Sequence, residues 1–251
     1  MLDRDSILKL SLEELDGFDP QTSSLSDQAV MLIGFQRTKQ ISRRSRKSWE
    51  AGNSEPMAQE VRERRSEIIQ GAFSEIWQEF VPVRNYFSGI GFHPAHIADI
   101  GCGAAINDIF LAREYEPRFT LIDIEQTDEQ YHGWASSGAG YASLASAKSL
   151  LEENGVDGDR ILLVNPRNDP KSVDPVSPDL AISLYSCGFH YPIDEYLSLF
   201  LRTINRGGVV VLDVRGRYLR QKSPALEELF SSGSVTEIYQ DVRSVRIAIG
   251  P

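Results

Sequence analysis

Ile97-Ala98-Asp99-Ile100-Gly101-Cys102-Gly103-Ala104-Ala105 is the stretch on which the reading of this chain turns. It begins as a short apolar strand, ends in an acid, and breaks into a glycine turn. The residues from Ile106 to Tyr115 then take a helical pattern. Glycine lets the backbone bend sharply and lets a ligand come close with no Cβ in the way. The free N–H groups of the first helical turn add hydrogen-bond donors. Strand, turn and helix start together form a pocket for a nucleotide-like ligand.

The next apolar run, Phe119-Thr120-Leu121-Ile122-Asp123, ends in a second carboxylate. In nucleoside-binding α/β folds an acid at the end of the second strand accepts hydrogen bonds from the ribose hydroxyls. This second acid raises the glycine turn above a chance Gly-x-Gly.

Outward from this centre, short apolar strands alternate with helical stretches. The strands fall at Ile97–Ile100, Phe119–Ile124, Arg160–Val164, Leu180–Leu184 and Val209–Val214, with helices near Ala105–Tyr115, Ser143–Asn154 and Ile193–Ile204. Gly155 and Gly207-Gly208 stand where helices end. The alternation predicts a parallel sheet covered on both faces. A short helix near Pro224–Phe230 and two strands, Val235–Tyr239 and Val242–Ile249, close the chain. Only Gln240-Asp241 separates those strands, which predicts a hairpin and an antiparallel edge.

Residues 1–90 have a different character and read as a helical extension or lid; residues 91–251 read as the α/β domain. Ser6 is expected to cap a short helix through Leu15. Asp27 to Gln40 carries a second apolar patch, and Ser42 to Pro56 reads as a polar loop. From Met57 to Phe87, Val61, Ile69, Phe73, Ile76, Trp77 and Phe80 recur at three- and four-residue steps, a packing face. Pro82 is expected to end or kink this helix.

Composition bounds the rest. With 251 residues, 41% of them hydrophobic and 25% charged, the chain is long enough for one large domain and an extension. Cys102 and Cys187, the two cysteines, fit a reducing, cytoplasmic setting and exclude a disulfide framework. No apolar run reaches membrane-spanning length, no basic-then-apolar leader opens the sequence, and no Cys/His spacing suits a metal. A net charge of −10 disfavours nucleic acid as a partner. The basic run Arg37, Lys39, Arg43, Arg44, Arg46 and Lys47 reads as a solvated face, since no aromatics interleave it before Trp49, with contact to an anionic substrate or a nucleic acid as the alternative.

The acid before Gly-x-Gly, the acid ending the second strand, the five parallel-type strands and the closing hairpin resemble the Rossmann-like, class I S-adenosylmethionine-dependent methyltransferases. The resemblance covers roughly Phe92 to the end. It implies a seven-stranded sheet whose last strand is antiparallel, with S-adenosyl-L-methionine across the strand ends. On that resemblance Asp99, Gly101, Cys102 and Gly103 form the cofactor loop. Asp123 and Ile124 hold the ribose side. Asn165 lies beside the adenine, with Asn168 and Asp169 as alternatives. The stretch Ser183 to Tyr191, including Ser186, faces cofactor and acceptor. Ala105 stands where the family often has a third glycine, tolerable if the backbone there is already helical.

A narrower resemblance, to sugar or small-molecule O-methyltransferases, rests on Tyr131-His132-Gly133, Gly140-Tyr141-Ala142-Ser143-Leu144 and Phe189-His190-Tyr191-Pro192. It implies a small-molecule acceptor. Methyl transfer needs alignment of the acceptor and a base for its proton. His190, which follows the fourth strand and titrates near neutrality, is the candidate base, or else it only orients its loop. Tyr191 is the candidate acceptor contact, or it packs on Pro192. Asp194 is expected to cap a helix starting near Glu195. Tyr131, His132 and Trp134, in the long Gln126–Tyr141 connection, could cover the ligand. Asn165-Pro166-Arg167 is not the Asn-Pro-Pro-aromatic motif of amino-methylating DNA enzymes, because it follows the wrong strand and lacks the aromatic.

Three other functions remain open on the sequence: an RNA methyltransferase, a nicotinamide-dependent oxidoreductase, and a non-catalytic accessory protein. Ile106, standing where the dinucleotide fingerprint has its last glycine, and the terminal hairpin disfavour the oxidoreductase. The acceptor, the atom methylated and the oligomeric state are not legible.

Overall fold

The structure, a computed structural model, describes Leu15 and residues 17–37, 39–125, 142–221 and 223–251. The helix expected at Ser6–Leu15 and the residues Tyr131, His132 and Trp134 therefore lie outside the described residues, Leu15 itself apart.

A seven-stranded sheet forms the centre, in the order β3-β2-β1-β4-β5-β7-β6. The strands are β1 (His96–Ile100), β2 (Arg118–Ile122), β3 (Ile161–Val164), β4 (Leu180–Ser183), β5 (Val209–Arg215), β6 (Ser234–Gln240) and β7 (Ser244–Gly250). Five pair in parallel, while β7 runs antiparallel to both β5 and β6. The Rossmann-like class and the closing hairpin are as the sequence predicts, with strand ends moved by a residue or two.

Pleating sends alternate residues to opposite faces. Ile97, Leu121, Ile182, Val209 and Val211 pack with the N-terminal helices. Ala98, Ile100, Ala181, Val210 and Leu212 pack with the helices near the C-terminus. Both faces are covered, which is why these strands are continuously apolar.

The N-terminal helices are α1 (Asp27–Gln36), α2 (Arg43–Glu50) and α3 (Glu55–Ile90). Next comes α4 (Ile106–Tyr115), then α5 (Leu144–Glu153), α6 (Leu197–Asn205), α7 (Gly216–Gln221) and α8 (Pro224–Ser231). The aromatic stripe of α3 packs on α4: the rings of Phe73, Trp77 and Phe80 lie 5.0–6.1 Å from that of Phe110. The extension and the sheet thus share one apolar cluster.

Four local expectations are corrected. Ser42 to Pro56 is not a loop, because Ser42 caps α2 by accepting the Ser45 N–H at 3.1 Å. Ser45 and Trp49, one turn apart, are buried, with Trp49 against Phe35 at 5.7 Å. Two inward positions suffice for a helix this short, too few to register as periodicity. Nor does Pro82 end α3: the non-helical backbone within it is at Arg64. A proline costs a helix interior about 3 kcal/mol. Buried Phe80, Val81, Val83 and Phe87 outweigh that, at roughly 1.5–3 kcal/mol for each fully buried apolar side chain.

The third correction concerns Ala105. Its backbone is left-handed, with φ 58° and ψ 27°, not helical. The fourth is Asp194, which caps nothing; it lies in a short 3-10 turn, Asp194–Tyr196, ahead of α6.

Candidate site at the strand ends

The C-terminal ends of β1, β2 and β4 converge on the glycine turn. Gly101 follows β1 with φ +75°, and its N–H donates to the Ile122 carbonyl at 2.7 Å. A Cβ there would stand 1.8 Å from Ser186 Oγ, so only glycine lets the turn after β4 close over the turn after β1. Gly103 also has positive φ, +57°. Its N–H donates to Asp123 Oδ2 at 2.8 Å, tying the end of β2 across the crevice. The sequence-expected pair of glycine turn and second acid is thus in direct contact.

Asp123 is half-buried, and desolvation pushes its pKa up to about 6 against the N–H bonds of Gly103 and Ile124. Asp99 ends β1 and is 5% exposed. Burial raises it to about 7; contact with Asp108 opposes the rise and the charge of Asp123 adds to it. Asp108, in the first turn of α4, is fully buried and was not singled out from the sequence. The signal lay in its spacing, one helical turn after a strained turn, but a polar residue there reads equally as exposed. Cys102, between the two glycines, is driven well up by burial and then by Asp123, Asp99 and Asp108, and stays a thiol.

Asn165 follows β3 and donates from Nδ2 to Glu125 Oε2 at 3.4 Å. Glu125 Oε1 in turn accepts the Leu144 N–H at 3.2 Å. So Asn165 is brought to the β2 side through Glu125, which the sequence reading missed. Asn168 and Asp169 close a turn back on the Asn165 carbonyl.

The segment after β4 is sewn to β1. Ser183 Oγ donates to the Ile100 carbonyl at 2.6 Å and accepts the Cys187 N–H at 2.9 Å. Ser186 Oγ and the Tyr191 hydroxyl are 3.3 Å apart, which joins both residues to the glycine turn. Burial holds the Tyr191 phenol well above its ordinary value. His190 is an exposed residue whose ring packs edge-on against Phe189 at 5.0 Å. Partial desolvation, then Arg215 and Arg217, lower its pKa, so the imidazole is neutral near pH 7. Its carbonyl accepts from Arg217 Nη2 at 3.0 Å. Tyr185 takes a left-handed φ of +52°, fixed by an N–H bond to Asp213 Oδ2 at 3.1 Å.

A cavity of about 380 Å³ opens beside this crevice. Leu25, Ala29, Leu32 and Ile33 give it an apolar wall from the N-terminal side, and Ala104 and Glu125 connect it to the glycine turn. Asp123, Asn165 and Ser186 do not line it. Among the described residues no group of His, Cys, Asp and Glu is arranged to hold a metal ion, and no helix is long and apolar enough to cross a membrane.

No protein-family model matches the sequence, and no curated protein sequence is similar to it. Several solved structures of methyltransferases are similar in fold. An S-adenosylmethionine-dependent methyltransferase, SibL, is 16% identical over 97% of this chain and 73% of its own, with a TM-score of 0.46. A ribosomal protein L11 methylase from Lactobacillus delbrueckii is 18% identical over 70% of this chain and 79% of its own, at 0.46. The bifunctional kinase-methyltransferase WbdD is 17% identical over 69% of this chain, at 0.46, and there the chain spans only 39% of the matched length. An O-methyltransferase candidate from Nostoc punctiforme is matched over 59% of its length.

Proposed function

We propose that this chain is an S-adenosyl-L-methionine-dependent methyltransferase acting on a hydroxyl or amine of a small molecule. The observation that carries the reading is the bond between Gly103 N–H and Asp123 Oδ2. It sets an acid from the end of β2 beside two positive-φ glycines, with no Cβ over the turn.

These residues fit the donor. Gly103, where a Cβ would meet only Gln36 Oε1 at 3.8 Å, leaves room for its amino-acid end. Asp123, bonded through Oδ2 to the loop, is the group proposed to accept from a ribose hydroxyl. Asn165 and Glu125 supply amide and carboxylate groups on the adenine side. Bound here, the donor supplies an activated methyl group on a sulfonium. The protein's own work is to align the acceptor, exclude water and accept a proton. His190, neutral at working pH on the turn after β4, is the group proposed to take that proton. Tyr191, held through Ser186 against Gly101, is proposed to position the acceptor. The helices of residues 1–90 are proposed as the lid, with α1 as one wall of the adjoining cavity.

Equilibrium titration with S-adenosyl-L-methionine, S-adenosylhomocysteine and a nicotinamide dinucleotide tests the reading. Binding of the first two and not the third is expected. Asp123→Ala should weaken that binding by about 1–3 kcal/mol, the scale for hydrogen bonds to a charged group. Unchanged affinity would remove Asp123 from the ribose role. Salt-sensitive retention on RNA would favour a nucleic-acid acceptor instead.

A further inference from the structure

Beneath the glycine turn lies a set of acids with no cation among them in the described residues. Asp108 is 0% exposed, and neither of its carboxyl oxygens has a hydrogen-bond partner. The group it faces is Asp99 of β1, itself 5% exposed. Asp123 from the end of β2 and Cys102 from the turn complete the set, with Glu125 beyond Asp123. The helices packed against α4, namely α3 and α5, bring no charged group against Asp108 among the described residues.

Ionised carboxylates accept hydrogen bonds and donate none. Two of them face to face would both be buried and mutually repelled, with Asp108 unbonded, an arrangement that proteins avoid. One added proton changes this. It makes one carboxyl a donor, gives Asp108 the partner it otherwise lacks, and leaves a single delocalised charge. Acid pairs in this situation titrate as a unit.

We propose that Asp99 and Asp108 hold one proton between them in the ligand-free protein, and that this proton leaves when a cationic nucleoside donor enters the crevice. The second half rests on the function proposed above. Asp108 is then a positioning residue that acts through Asp99 on the glycine turn. The balance is simple. The donor carries a sulfonium, an ammonium and one carboxylate, a net charge of +1, while the demethylated product is neutral overall. A positive charge arriving over the turn favours the ionised pair, and the proton passes to solvent. Donor affinity therefore rises with pH, and product affinity changes less. The crevice would favour donor over product most strongly above neutrality.

Two readouts test this. In infrared spectra of the ligand-free protein, a protonated-carboxyl C=O band is expected near neutral pH, lost as the pH is raised further and absent in Asp108→Asn. If that variant does not fold, Asp99→Asn serves in its place. Absence of the band in the wild-type protein, or its survival in the variant, overturns the shared proton. In calorimetric titrations, S-adenosyl-L-methionine should bind up to about tenfold more tightly at pH 8 than at pH 6, the ratio for a one-unit linked shift. S-adenosylhomocysteine should change by about threefold or less. Equal pH dependence for the two, or a donor slope that persists in Asp108→Asn, overturns the linkage. A donor that binds at neither pH overturns the function proposed above, while the infrared band still decides the pair.

Discussion

Two buried charge clusters lie at the same end of the sheet, and they are built on opposite principles. On the β5–β7 side, Asp213 and Arg246 are 1% and 0% exposed and fully paired: Arg246 Nε and Nη2 donate to the two Asp213 oxygens at 2.9 and 2.7 Å. Arg246 also donates to the Glu79 carbonyl of α3, and Glu79 pairs with Arg37 just after α1. On the β1–β2 side, Asp99 and Asp108 are buried and Asp123 is half-buried, with no cation set against them among the described residues. The first cluster is self-sufficient and ties the N-terminal helices to the sheet. The second is incomplete by itself, and an incomplete buried charge marks a place where a proton or a ligand does the balancing.

The largest effect should come from breaking the complete cluster. Arg246→Met leaves Asp213 buried and unpaired, a loss of about 3–5 kcal/mol in denaturant unfolding. Adding Asp213→Asn, which keeps an acceptor for the Tyr185 N–H, should restore more than half. If the single variant loses little, the cluster is not the tie described here.

The incomplete cluster should show itself in pH instead. Asp99, pushed to about 7, and Asp123, pushed to about 6, both stand above the ordinary value of 3.8. Between those limits the folded chain holds protons that the unfolded chain has released. Stability should therefore be greatest toward pH 4 for these groups, and fall as pH rises through 6 and 7. The slope should approach about 1.4 kcal/mol per pH unit for each linked proton. Asp108→Asn should flatten the upper part of this slope. A stability curve that is level, or that rises over this range, would contradict a cluster without cations.

The smallest effect is expected at Ala105, between α4 and the acids. A left-handed alanine costs about 1–2 kcal/mol, while its buried methyl gains about 0.8 kcal/mol. Ala105→Gly should relieve the first and lose the second, and it loosens the unfolded chain. A net change within about 0.5 kcal/mol is expected in thermal unfolding. A loss above about 1 kcal/mol, the usual penalty for glycine in a right-handed helix, would place Ala105 inside α4.

Much of the fold was legible because its signals are local. Apolar runs at Ile97–Ile100 and Val209–Val214, and glycines at helix ends such as Gly155, report strand and helix from neighbouring residues alone. So did the pairing of the glycine turn with Asp123, since each lies at a strand end whose place in the sheet follows from the alternation. Ser42–Glu50 was misread because only Ser45 and Trp49 point inward. Pro82 was misread because its propensity is local, while the burial of Phe80 and Phe87 that outweighs it is not.

The sequence by itself determined a parallel α/β sheet closed by an antiparallel hairpin, and an acid at the end of each of its first two strands. Only the tertiary structure decided which buried charges are paired. Arg246 and Asp213 are joined by strand register, and Asp108 is left facing Asp99 by the packing of α4. Neither fact is written in nearest neighbours, because whether a charge is balanced depends on which distant groups share its dry volume.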